Sequence, residues 1–164
     1  MAGISHLAVG LVAKPLAPKV PVWTLLVASE AVDILWTGLA VTGVENFGNS
    51  PISHSLITAL TLSALGGVLL GRVFHSARSG AVIAAVIFSH WIIDLITHPM
   101  FGGQPDMSLI FEGSPKLGMG LYTALPMAAV TAIEIGAFLL GLAVFRANNR
   151  KTRCNGKVKI PVHR

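Results

Sequence analysis

Long apolar runs separated by short polar turns set the plan of this chain. Ile4 to Ala13 is an apolar run of about ten residues, too short to cross a bilayer, which needs about 20. A basic, proline-punctuated stretch from Lys14-Pro15 to Pro21 ends it, so the run reads as a re-entrant or interfacial half-helix carrying His6. Val22 to about Val44 predicts the first full span, and Glu45 to Pro51 a polar loop. Ser53 is placed to cap the second span, with His54 in its first turn. That span runs from Ser55 to about Phe74. A tight basic turn from Arg72 to Arg78 leads into the third, Ser79 to His98, which Pro99 closes. Met100 to Gly120 is a long loop rich in glycine and proline, read as a lid or interfacial segment. Leu121 to Phe145 predicts the fourth span, with Pro126 in its first turns and Glu134 near its middle. Arg146 to Arg164 has no hydrophobic periodicity and is expected to be disordered. The predicted fold class is an all-α polytopic membrane bundle, four transmembrane helices plus a short N-terminal half-helix. Residues 1–145 form a single domain and residues 146–164 a basic tail.

Composition agrees with that plan. Of 164 residues 53% are hydrophobic and 12% charged, where a soluble domain would carry roughly a quarter charged. A soluble enzyme is thereby excluded. One cysteine, Cys154, excludes an internal disulfide. The net charge of +5 lies mostly in the tail, which makes it a topology signal and an anionic-lipid contact rather than a nucleic-acid footprint. Of the twelve Lys and Arg, eleven fall on one side of the predicted spans and Lys116 alone on the other. The basic side, tail included, is therefore expected to be cytoplasmic.

Candidate chemistry concentrates in the third span. Phe88-Ser-His-Trp-Ile-Ile-Asp-Leu-Ile-Thr-His98 spaces His90, Asp94 and His98 four apart, along one helical stripe. Imidazole and carboxylate one turn apart can hold a divalent metal. Glu30 and Asp33 share a face of the first span, being three apart. Helix rise places His6, Asp33 and His90 roughly 12–16 Å from their segment ends, depths at which they could converge. Seven ionisable residues thus lie in apolar surroundings: His6, Glu30, Asp33, His54, His90, Asp94 and Glu134. Unpaired carboxylates in lipid are costly, so they are either protonated or neutralised by a cation. Histidines at the same depth favour a metal. Nitrogen and oxygen ligands without thiolate suit zinc first, with manganese or iron behind it, as one ion or two bridged by Asp94. Two ions could clamp a phosphoryl group and activate water.

The ordered segments "ISHLAVG", "SEAVDILW", "PISHSL" and "FSHWIIDLITHP" resemble a bacterial inner-membrane family described as metal-dependent hydrolases. That family is in turn similar to the zinc-dependent phospholipases C and single-strand nucleases. The resemblance covers about the first hundred residues. It implies an inner-membrane protein with His6, Asp33, His54, His90 and Asp94 as metal ligands, joined by His98. The expected function is hydrolysis of a phosphoester, with a phospholipid entering from the bilayer as the natural substrate. Glu30 is the expected general base, and Asp94 the catalytic carboxylate. The alternative is a small metal-ion or proton permease using the same cluster, in which four spans would need a homo-oligomer. A third reading keeps the metal site as structural alone.

Overall fold

The computed structural model describes residues 3–45, 52–99, 103–111 and 113–156. These regions hold six α-helices, a 3-10 turn at Lys14–Leu16 and one hairpin of two-residue strands: α1 Ser5–Ala13, α2 Val22–Ser29, α3 Ala31–Val41, α4 Leu56–Val73, α5 Ala77–Thr97, β1 Met107–Ser108, β2 Lys116–Leu117 and α6 Met127–Gly156. The architecture is an all-α membrane bundle. Helices α4, α5 and α6 are each long and apolar enough to cross a membrane. The pair α2 and α3 passes the same test together.

Helix α5 is the axis. Its N-terminal half packs Ile83, Val86 and Ile87 against Ala13, Ala17, Val20, Leu25 and Ala28 of the first three segments. The outer faces of α4 and α6 present Leu65, Val68, Leu69, Leu139 and Leu140 exposed, as expected where lipid is the solvent. Between α4 and α5 the chain turns at His75, which adopts a positive φ of 48°. Ser76 then caps α5 by accepting a hydrogen bond from the Ser79 amide at 3.1 Å.

Three expectations change. The span predicted from Val22 to Val44 is two helices, bent by 56° at Glu30. The backbone at Glu30 leaves the helical region (φ −103°, ψ 8°), and the Ser29 carbonyl accepts a hydrogen bond from the His90 ring at 2.7 Å. Ser55, not Ser53, caps α4, accepting from the Thr58 amide at 3.2 Å, so His54 precedes the helix. Helix α6 begins at Met127, after Pro126, and continues as helix to Gly156, into the expected tail; disorder beyond that point falls on residues outside those described.

The loop between α5 and α6 is anchored by backbone. Amides of Met119, Gly120, Leu121 and Tyr122 donate to the carbonyls of Leu95, His98, Ile96 and Thr97 at 2.8–3.4 Å. These satisfy the carbonyls that the last turn of α5 would otherwise leave unpaired. The Ile57 amide at the start of α4 likewise donates to Leu109 at 3.1 Å. The hairpin is thereby tied to two helix ends, beside the site described next.

Candidate cation site within the bundle

Five of the seven ionisable candidates meet at one place. The break after α2 turns the first turn of α3 inward and brings Asp33 to the α5 stripe. The capped turn before α4 delivers His54, and α1 delivers His6 from its second residue. His6 Nε2 lies 3.3 Å from Asp94 Oδ1, and His90 Nε2 lies 3.3 Å from Asp94 Oδ2. His54 Nε2 is 3.2 Å from Asp33 Oδ1 and 3.6 Å from Asp94 Oδ2, and His90 Nε2 is 3.6 Å from Asp33 Oδ1. The His6 and His90 rings stack with centroids 3.9 Å apart. His6, His54, His90 and Asp94 are all buried, His90 to 1% exposure.

Backbone and hydroxyl partners aim these rings. A carbonyl can only accept, so His90 Nδ1 carries the proton that it gives to Ser29, and in the neutral ring Nε2 presents a lone pair. Ser53 Oγ sits 3.0 Å from His54 Nδ1, and Trp91 Nε1 donates to the His54 carbonyl at 3.0 Å. The buried carboxylate of Glu45 accepts from the amides of Ile52 and Ser53 at 2.6 and 3.1 Å, holding the turn that carries His54. Sequence alone does not reveal these partners: Glu45 looks like an ordinary loop residue, and the Ser29 carbonyl has no side-chain signature.

The geometry fits a divalent cation. A tetrahedral ion with bonds of about 2.0–2.2 Å sets neighbouring ligand atoms about 3.3–3.6 Å apart. The four His–Asp separations among Asp33, His54, His90 and Asp94 run from 3.2 to 3.6 Å. His90 Nε2 and Asp94 Oδ2 are buried and face one another outside hydrogen-bond geometry, as two lone pairs around a shared centre would. Two overlapping triplets could hold an ion, His6–His90–Asp94 and Asp33–His54–His90. His90 is common to both triplets, and Asp94 reaches from the first toward the second, its Oδ1 facing His6 and its Oδ2 facing His54 and His90.

Of the other candidates, Glu30 and His98 lie outside the triplets and Glu134 lies apart from the cluster. Glu30 stands at the break between α2 and α3, and its Oε1 is buried without a hydrogen bond. His98 belongs to neither triplet: its Nε2 is 3.9 Å from Asp94 Oδ1, while its Nδ1 lies 3.2 Å from Asp106 Oδ2 in the loop. Glu134 is elsewhere, between α1 and Tyr122.

Comparison with known proteins finds a distant relative over most of this chain. The chain is 29% identical over 126 residues to NAD(P)H-quinone oxidoreductase chain 4 2 of Thermosynechococcus vestitus. That alignment covers 74% of this chain and 23% of the relative, so the chain spans under a quarter of the length of the protein it matches. No protein-family model matches, and neither does any solved structure. The likeness overturns the expectation of a phosphoester hydrolase, because the relative is named as a chain of a quinone oxidoreductase. With it go the roles expected in that hydrolysis of Glu30 as general base and of Asp94 as catalytic carboxylate.

The loop attachment at His98 is expected to be sensitive to pH. Burial pulls the His98 ring toward its neutral form, but the hydrogen bond to Asp106 and the charges of Asp94 and Asp106 outweigh that and hold its pKa above the ordinary 6.5. A raised histidine pKa stabilises the folded arrangement below about 6.5, and that contribution is lost as pH rises through the folded-state value. Asp106 is half exposed, so the contact contributes only up to about 1 kcal/mol. Amide exchange in residues 103–111, corrected for intrinsic rates, should accelerate on raising the pH, and Asp106→Asn should remove most of that dependence.

Proposed function

We propose that the chain is a membrane cation permease of the bacterial plasma membrane, its basic tail cytoplasmic, with the His/Asp cluster as the station for a divalent metal ion. The observation that carries this reading is the double facing of Asp94, with Oδ1 toward His6 and Oδ2 toward His54 and His90. A cargo ion held by Asp33, His54, His90 and Asp94 could pass toward His6 by ligand exchange on one carboxylate. His98 and Asp106 lie next, at the loop end. Loading requires deprotonated ligands, so ion entry releases protons and protonation returns the ion. Zinc suits a donor set of imidazoles and carboxylates without thiolate best, followed by manganese or iron. A transport path through so small a bundle would be completed by further copies of the chain.

A second reading follows from the likeness to the oxidoreductase chain. There the same cluster works as a proton relay in a larger membrane assembly, and the ions that neutralise its carboxylates are protons. Proteoliposomes separate the two. Zinc uptake with counterflow of protons, abolished by Asp94→Asn, is the expected result. Proton flux that needs no metal and is lost in the same variant would select the relay. Neither flux, from protein shown to be folded, would overturn both.

A further inference from the structure

Helix α6 contributes no residue to the cation site, yet it packs closely on α1: a Cβ on Gly141 would come within 2.7 Å of Ala8 Cβ and 2.8 Å of its Cα. Near the start of α6, Glu134 lies in an apolar stretch and takes an amide and a hydroxyl as its partners. Its Oε2 accepts a hydrogen bond from the Ser5 amide at 2.9 Å, and its Oε1 accepts one from the Tyr122 hydroxyl at 2.6 Å. Ser5 is the first residue of α1, whose own N-cap, Ile4, offers no capping side chain. Helix N-termini leave amides unpaired and carry positive partial charge, and a carboxylate meets both needs. Glu134 thus supplies from another helix the cap that α1 lacks. Gly3 leaves room for it, since a Cβ there would sit 2.7 Å from Oε2. The Tyr122 hydroxyl is held protonated by burial and by the neighbouring carboxylate, both of which raise its pKa, so it stays a donor.

We infer that Glu134, fixed by Tyr122, is the positioning residue for His6: it pins the first turn of the half-helix so that the imidazole one residue later reaches Asp94. This deepens the cation-site reading and rests on it for its consequence, but the clamp itself can be tested without metal. Ser5 Oγ is buried, so Ser5→Cys in a Cys154→Ser background places a probe thiol at the clamp. That thiol should react slowly with a water-soluble thiosulfonate, and roughly tenfold or more faster when Glu134→Ala is added, as the lost charged hydrogen bond lets the turn open. Glu134→Gln, which keeps an acceptor, should restore most of the protection.

Cobalt(II) supplies the second readout, through its visible spectrum. In the Cys154→Ser protein Glu134→Ala should weaken cobalt binding and alter the spectrum as His6→Ala does, and the double variant should be no worse than His6→Ala alone. Labelling that Glu134→Ala leaves as slow as before would overturn the clamp. Faster labelling with cobalt binding and spectrum unchanged would make Glu134 a structural cap and overturn its role in placing His6. If the parent protein bound no cobalt, the cation reading would fail and the labelling result alone would decide the clamp.

Discussion

Asp94→Ala is expected to lower zinc affinity by at least roughly 100-fold, the upper range seen when mere supporting partners of a metal ligand are removed. Of the six close His–carboxylate approaches around the centre, His6, His54, His90 and His98 each make one to Asp94, and Asp33 receives the remaining two. Removing Asp94 therefore takes oxygens that face four histidines, whereas Asp33→Ala takes one that faces two. Glu30→Gln is the contrast: Glu30 belongs to neither triplet, so its loss should stay within about tenfold by the same comparison. Titration calorimetry on the detergent-solubilised protein measures all three. Equal losses for Asp94→Ala and Glu30→Gln would place the ion somewhere other than between the two triplets.

The largest loss of stability should come from Gly80→Val. Helices α4 and α5 touch backbone to backbone at Gly67, Gly71 and Gly80, where a Cβ on Gly80 would run into the Gly67 carbonyl and lie 3.0 Å from Gly71 Cα. Neither atom belongs to a side chain that could swing away, so the helices would have to separate. Overpacking of this kind costs typically about 1–3 kcal/mol and occasionally more. Separation would also disturb the site, because α5 carries His90 and Asp94 and the turn before α4 carries His54. Gly38 serves as the control, since a Cβ added there would meet nothing within 4 Å. Gly38→Ala should be neutral or stabilise α3 by up to about 1 kcal/mol. Thermal unfolding in detergent compares the pair, and a Gly80→Val protein as stable as the parent would mean that α4 and α5 do not pack this closely.

Hydropathy made the long helices legible, because lipid asks for little beyond about 20 apolar residues with their hydrogen bonds closed inside the helix. The spacing of His90, Asp94 and His98 likewise announced one face of α5. The bend at Glu30 was invisible for a physical reason. Both halves are apolar, and the Ser29 carbonyl at the break is engaged by a ring 61 residues away. The loop hairpin was equally unreadable, since its strands of two residues each are too short to show a hydrophobic period, and the chain after them is held by backbone amides that pair with the end of α5. His98 shows the limit of spacing: it shares the stripe of Asp94, yet it lies past the last turn of α5, stays 3.9 Å from Asp94 and hydrogen-bonds Asp106. Glu134 looked like a member of the same polar set, but its depth in α6 aims it at the start of α1.

The most direct test of a cation held by these side chains is zinc-edge X-ray absorption on protein purified with limiting zinc and freed of loosely bound ion. The predicted result is tightly retained zinc with nitrogen and oxygen neighbours at about 2.0–2.2 Å, including the imidazole scattering pattern and no sulfur. Retention should disappear in Asp33→Ala/Asp94→Ala. Protein that keeps no zinc after loading, or keeps it equally well without the two aspartates, would contradict a metal station in the bundle.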